Sequence, residues 1–257
     1  MNFLQKLFGT GETEDEEYER LVDEGMIVAK NFEYCYQKPL LLETIKGDYD
    51  EWEKFMLKHP RLVTYIGGRR TGKSAGCFNI AENLAKKKGK IIQTIGMDGQ
   101  ELPVFISNIA SIEEVENDSI LVVGEGAIEA NARNSMGKSN KNLASLLPII
   151  SHKNVDILWA TQAGYKTDKN LIYEADTLIL LKPSLMQLEV GGERPAVIKL
   201  YKKYKPYLDK WEEKIRTHTG LAIIHSEKFE GVIRFKLPAW WNDELSKSYA
   251  NKEVMTK

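Results

Sequence analysis

From Arg61 onward the chain alternates short apolar runs with helix-length stretches: Leu62 to Ile66, Ile91 to Ile95, Ile120 to Val123, Val155 to Ala160 and Thr177 to Leu181. Runs this short and this apolar predict strands buried on both faces, the pattern of a mainly parallel central sheet covered by helices. Two further runs, Leu221 to His225 and Gly231 to Leu237, lie close enough to pair antiparallel as extra edge strands near the C-terminus. Residues 61–240 are therefore expected to form one α/β domain.

Upstream the pattern is helical. Met1 to Phe8 would place Phe3, Leu4, Leu7 and Phe8 on one helix face before Gly9-Thr10-Gly11, which suits a docking segment or a frayed end. Thr13 to about Ala29 predicts an acidic helix, with Thr13 at the N-cap and Glu16 three residues on, the capping-box spacing. Another helix is expected around Tyr49 to Leu57, and His59-Pro60 marks a boundary. Residues 1–60 read as an acidic, mostly helical accessory segment, and 241–257 as a C-terminal helical tail.

Composition acts mainly by exclusion. The 257 residues are 42% hydrophobic and 28% charged, which rules out a disordered, collagenous or rod-like chain. No run approaches the ~18 to 20 apolar residues of a bilayer span, and the N-terminus lacks signal-peptide order, so a cytoplasmic protein is expected. Cys35 and Cys77 carry neither a disulfide framework nor zinc spacing. Residues 1–60 hold 14 Asp and Glu against 7 Lys and Arg, a net of −7, which leaves +6 on residues 61–257. That excess is compatible with an anionic partner but does not specify one.

The first strand runs into Gly67-Gly68-Arg69-Arg70-Thr71-Gly72-Lys73-Ser74-Ala75, a full Gly-x-x-x-x-Gly-Lys-Ser phosphate loop between a strand and a helix. Its glycines let backbone N–H groups turn toward phosphate oxygens, Lys73 reaches the β and γ phosphates, and Ser74 ligates Mg2+. ATP and Mg2+ are the cofactors this implies. Arg69 and Arg70 are expected in solvent, with contact to phosphate or to a neighbouring subunit as the other reading. Ser119 to Val123 leads through Gly124 to Glu125, a carboxylate placed to polarise the attacking water. Gly124 stands where most phosphate-loop ATPases carry the Asp that steadies the magnesium shell. The next strand ends in Thr161-Gln162. In ATPases with a catalytic glutamate, an extra strand lies between the loop strand and the glutamate strand, and Gln162 fits the polar tip that senses the γ-phosphate.

The ordered set of phosphate loop, Ile-Leu-Val-Val-Gly-Glu-Gly-Ala-Ile (120–128), Asn-Ala-Arg-Asn-Ser-Met (131–136), Ser-His-Lys (151–153), Ala-Thr-Gln (160–162) and Ala-Asp-Thr-Leu-Ile-Leu (175–180) resembles the FtsK/HerA superfamily of DNA-pumping ATPases. The likeness is greatest to its viral genome-packaging branch, which includes zonular-occludens-toxin-like proteins. It covers roughly residues 61–240, with two departures: Gly124 for the usual Asp, and Ser151 where many relatives have Arg.

The resemblance implies a homo-oligomeric ring, pentamer or hexamer, around double-stranded DNA contacted without sequence preference. It also implies an arginine from the neighbouring subunit at each site. Arg133, which matches the Asn-Ala-Arg stretch, and Arg194 are the candidates. Gly137 to Asn142 has the composition of a DNA-contacting loop. Lys199 to Lys205, with Tyr201 and Tyr204 interleaved, reads as an amphipathic helix with tyrosines inward, a DNA stripe being the alternative. Lys86 to Lys90 reads as solvated charge at a helix C-terminus. Capsid or portal-vertex proteins would be met through the N-terminal segment, with virion association a possible consequence. A competing function is a phage-type morphogenesis or export ATPase acting on coat protein or membrane partners. A nucleotide kinase is disfavoured by the lack of an arginine-rich lid.

Overall fold

A computed structural model describes residues 37–95, 97, 102–124, 152–166, 169–189, 193–242 and 245. In chain order the elements are β1 (Leu40–Gly47), α1 (Tyr49–Lys58), β2 (Leu62–Ile66), α2 (Lys73–Lys88), β3 (Ile91–Ile95), β4 (Ile106–Asn108), β5 (Ser119–Val123), β6 (Asp156–Thr161), α3 (Asn170–Tyr173), β7 (Thr177–Leu181), α4 (Leu185–Glu189), α5 (Pro195–Ile215), β8 (Leu221–Ser226) and β9 (Phe229–Arg234). They form a nine-stranded sheet in the order β1-β9-β8-β7-β2-β6-β5-β3-β4. The pairs from β7 through β4 are parallel, while β8, β9 and β1 add antiparallel on the β7 side. The sequence-predicted α/β architecture with antiparallel additions is what the molecule has.

Each buried strand sorts its side chains by the two-residue period of the pleat. Val63 and Tyr65 of β2, Leu158 and Ala160 of β6, and Ile179 and Leu181 of β7 pack with Phe78, Ile80 and Leu84 of α2. The alternate residues face the other way: Ile66, Leu178 and Leu180 meet Val197, Tyr201 and Tyr204 of α5, and Leu121, Ile157 and Trp159 form a third cluster with Leu171. Helices on both faces explain why the strands read as unbroken apolar runs. On α5, Tyr201 and Tyr204 are buried while Lys199, Lys202, Lys203 and Lys205 are exposed, the amphipathic-helix reading of that stretch.

Two expectations need correction. Residues 40–58 are not part of an accessory segment. Strand β1 pairs with β9, and α1 buries Tyr49, Trp52 and Met56 in the main core, with Trp52 Nε1 donating to Thr177 Oγ1 at 3.1 Å. Helix α1 starts at Asp48, whose carboxylate caps the Asp50 and Glu51 N–H groups. Arg61 then closes the joint that His59-Pro60 was expected to open. Its guanidinium stacks on Phe55, donates to the Phe55 carbonyl and pairs with Asp176 at 2.8 Å. The helices expected in residues 1–29 lie outside the described residues, as does the tail beyond residue 240 except for Trp241, Asn242 and Leu245.

The second correction concerns Lys86 to Lys90. Lys86 and Lys87 are exposed, but Lys88 and Lys90 reach the fully buried Asp156 at 2.6 and 2.8 Å, and the Arg61 N–H donates to the same carboxylate at 2.9 Å. Burial lowers the Lys88 pKa, which Asp156 opposes. A buried carboxylate at the start of β6 must be paired, and the end of α2 supplies both ammonium groups.

Candidate active site

The phosphate loop lies at the carboxyl end of β2, opposite the end that carries Asp156. Glycine is required there at two positions. A Cβ on Gly67 would lie 2.8 Å from Leu181 Cβ, and Gly72, the N-cap of α2, has φ +93°. Gly68 N–H donates to the Lys182 carbonyl at 2.8 Å, Thr71 Oγ1 to the Gly68 carbonyl at 3.0 Å, and Gly220 N–H to the Thr71 carbonyl at 2.9 Å. The loop is therefore sewn to the ends of β7 and β8. Arg70 also holds a positive φ of 59°, and both Arg69 and Arg70 are exposed.

Lys73 is 9% exposed and donates to the Gly67 and Gly68 carbonyls at 2.9 and 2.6 Å. The N-cap of α2 brings no side-chain acceptor, and the first turn holds no acidic residue. Helix N–H donors without a side-chain cap, beside a buried ammonium, fit a polyphosphate. Ser74 is exposed at the mouth of the loop and Ala75 is buried beneath it, so the hydroxyl fits a magnesium ligand. Among the described residues no group of three or more His, Cys, Asp or Glu could hold a metal. Cys77 is fully buried, and burial pushes its thiol well above the usual range, so it is no nucleophile.

Strand β6 lies between β2 and β5, with Ile66 level with Thr161. This is the inserted strand that the polar tip Thr161-Gln162 predicts. Gln162 Oε1 accepts from Arg69 Nε at 3.2 Å, and its backbone carbonyl accepts from Gln187 Nε2. Gln187 Oε1 in turn accepts from the Ser184 N–H at 2.7 Å. Arg69, Gln162, Tyr165, Lys182, Gln187 and His218 are among the residues around a cavity of about 430 Å³ beside the loop.

Gly124, directly after β5, has an ordinary φ, and no described atom lies within 4 Å of where its Cβ would be. Glu125, Arg133, Ser151 and the Gly137 to Asn142 loop lie outside the described residues. Arg194 is half-buried and donates through Nε to the Gly164 carbonyl of its own chain at 2.9 Å. Sequence reasoning missed Gln187 and Glu193. Pro195 at the first position of α5 was the available signal for Glu193, since it marks the preceding residues as a helix entrance.

No family model matches the chain, and no curated protein matches it. Solved structures do resemble it. The genome packaging NTPase B204 from Sulfolobus turreted icosahedral virus 2 in complex with ATP-gammaS is 12% identical, with 69% of this chain and 98% of that one covered and a TM-score of 0.39. The same protein in complex with AMP gives 15% identity, 69% and 98% coverage, and a TM-score of 0.42. EssC (ATPases 2 and 3) from Geobacillus thermodenitrificans gives 14% identity over 89% of this chain and 51% of that one, with a TM-score of 0.42. At such identities and scores these are likenesses only, and function is argued from the site itself.

Proposed function

We propose that this chain is an ATP-hydrolysing translocase of double-stranded DNA, of the viral genome-packaging kind, working as a homo-oligomeric ring of five or six subunits. The observation that carries the ATPase reading is the placement of β6 between β2 and β5, with the Gln162 amide within hydrogen-bonding reach of the phosphate loop. DNA and ring assembly rest on the motif resemblance. Lys73 would balance the β and γ phosphates, the α2 N–H groups and loop amides would hold them, and Glu125 would orient the water. Mg2+ held by the Ser74 hydroxyl would neutralise phosphate charge there, with room beside Gly124 for water in place of the usual carboxylate. Arg133 is the preferred arginine in trans. Docking on capsid or portal proteins would fall to the N-terminal segment.

The test is the steady-state ATPase rate with and without long duplex DNA, with particle mass measured on the same material. A severalfold stimulation by DNA on a ring-sized particle is expected, with Glu125→Gln binding ATP but not turning it over. Turnover that ignores DNA, together with recruitment to coat protein or vesicles, would replace this reading by that of a morphogenesis or export ATPase.

A further inference from the structure

The turn after β6 is gripped by the entrance of α5. The Glu193 side chain is buried, and its carboxylate accepts two backbone N–H groups: Gly164 at 2.7 Å and Arg194 at 2.8 Å. Arg194 completes the exchange by donating from Nε to the Gly164 carbonyl at 2.9 Å. Both backbone polar groups of Gly164 are thereby held by two consecutive side chains of another segment. The approach is close enough that a Cβ on Gly164 would stand 2.6 Å from Glu193 Oε1 and 2.9 Å from Ile172 Cδ1. A side chain there would have to push the Glu193 carboxylate and the Ile172 methyl aside, although φ at Gly164 does not demand glycine.

Gly164 is two residues beyond Gln162, whose own carbonyl accepts from Gln187 Nε2. The backbone around Gln162 is therefore held at two points, both by the segment between β7 and α5. Helix α5 is in turn fixed to the loop strand, because buried Tyr201 donates its hydroxyl proton to the Ile66 carbonyl at 3.0 Å, one residue before Gly67.

We propose that Glu193 and Arg194 are a positioning pair acting in cis: they set Gln162 by clamping Gly164, so Arg194 is not the arginine that serves a neighbouring subunit. This rests on the ATPase reading above. A carboxylate taking two N–H groups in a water-excluded pocket is a stiff support, and a misplacement of ~1 Å at a site of this kind can cost about 10²-fold in rate.

The experiment combines hydrogen exchange with kinetics on the full chain. In Glu193→Gln and in Gly164→Ala, exchange of the 160–166 amides should accelerate at least tenfold, while the loop amides 67–74 keep the parent's rate. The same variants should lower kcat about tenfold and leave KM for ATP within about twofold. Arg194→Lys, which can still donate to the Gly164 carbonyl, should recover most of what Arg194→Ala loses. Mixing Arg194→Ala into wild-type protein should lower activity in proportion to its fraction. Should either variant fold poorly by thermal melting, the other together with the Arg194 mixtures decides. Unchanged exchange at 160–166, or faster exchange with kcat within twofold of the parent, overturns the proposal, as does a fall steeper than proportional in the mixtures. A parent chain that turns over no ATP, with exchange behaving as expected, overturns the ATPase reading and the positioning role and leaves only a structural clamp.

Discussion

Arg69 Nε lies 3.2 Å from Gln162 Oε1, so an exposed side chain of the phosphate loop occupies the acceptor of the amide assigned to sense the γ-phosphate. An amide has one carbonyl oxygen and two N–H donors. While Arg69 holds the oxygen, the amide group is turned in one direction. On the reading proposed above, the amide N–H groups would be left for a phosphate oxygen, while a lytic water would compete with Arg69 for the amide oxygen.

Removing the competitor should show in the rate. Arg69→Ala is expected to raise basal turnover severalfold with KM near the parent value, whereas Gln162→Ala should lower kcat by roughly 10². Steady-state kinetics on the two variants separates the roles. Equal losses in both would mean that Arg69 itself contacts phosphate.

The absent aspartate at residue 124 gives a second test. Gly124 has an ordinary φ and open space at its Cβ, so Gly124→Asp introduces no backbone strain and no clash with described atoms. It should fold like the parent and lower the Mg2+ concentration needed for half-maximal ATPase severalfold. A magnesium titration that does not move would show that a carboxylate from another position already fills that role.

Glu82 offers a pH-dependent test away from the site. It is 5% exposed, burial pushes its pKa up, and the Trp240 Nε1 donor at 2.5 Å works against that shift. A carboxyl whose folded-state pKa is raised favours folding while it is protonated. That contribution is complete below the unfolded value and is lost as pH rises through the folded one. Glu82→Gln keeps an acceptor for Trp240 without the charge, so it should raise Tm by a few degrees at pH 7 to 8, the effect of about 1 kcal/mol in a domain this size. The gain should shrink toward pH 4. Thermal melts across that range check it, and a pH-independent difference would assign the effect to packing.

Asp156 is the counterpart at the other end of the strands. Asp156→Asn leaves Lys88 and Lys90 buried opposite a neutral amide, and losing one partner of a buried pair costs about 3 to 5 kcal/mol. Denaturant unfolding should show that loss. ATP affinity of the folded variant should match the parent, because the phosphate loop lies at the opposite end of the strands.

What the sequence made legible follows from the range over which each signal acts. The phosphate loop is one local stretch, and the runs that begin at Leu62, Ile91 and Thr177 are apolar enough to mark their strands residue for residue. The strand Leu40–Gly47 carries no such mark. It is largely exposed, its two faces are unlike those of a buried strand, and its partner β9 is remote in the chain. Asp156 lies inside the apolar run Val155 to Ala160, and nothing local says that Lys88 and Lys90 converge on it. Gln162 could be nominated from its place after a buried strand, but its tie to Arg69 and the Glu193 grip on Gly164 depend on tertiary approach. Arg194 is of the same kind: the sequence shows an arginine beside a proline, and its bond to the Gly164 carbonyl of its own chain depends on tertiary approach.

The pairing of Leu40 with Arg234 also dictates an order of events during synthesis. Strand β1 leaves the ribosome before any other described strand, yet its only partner in the sheet is the last to be made. Until β9 emerges, β1 has no ladder to join and β7 presents a bare edge where β8 will add. Exposed strand edges recruit other chains, so β1 waits unpaired through most of translation, β7 is bare from its own emergence until β8 follows, and the hairpin of β8 and β9 closes both.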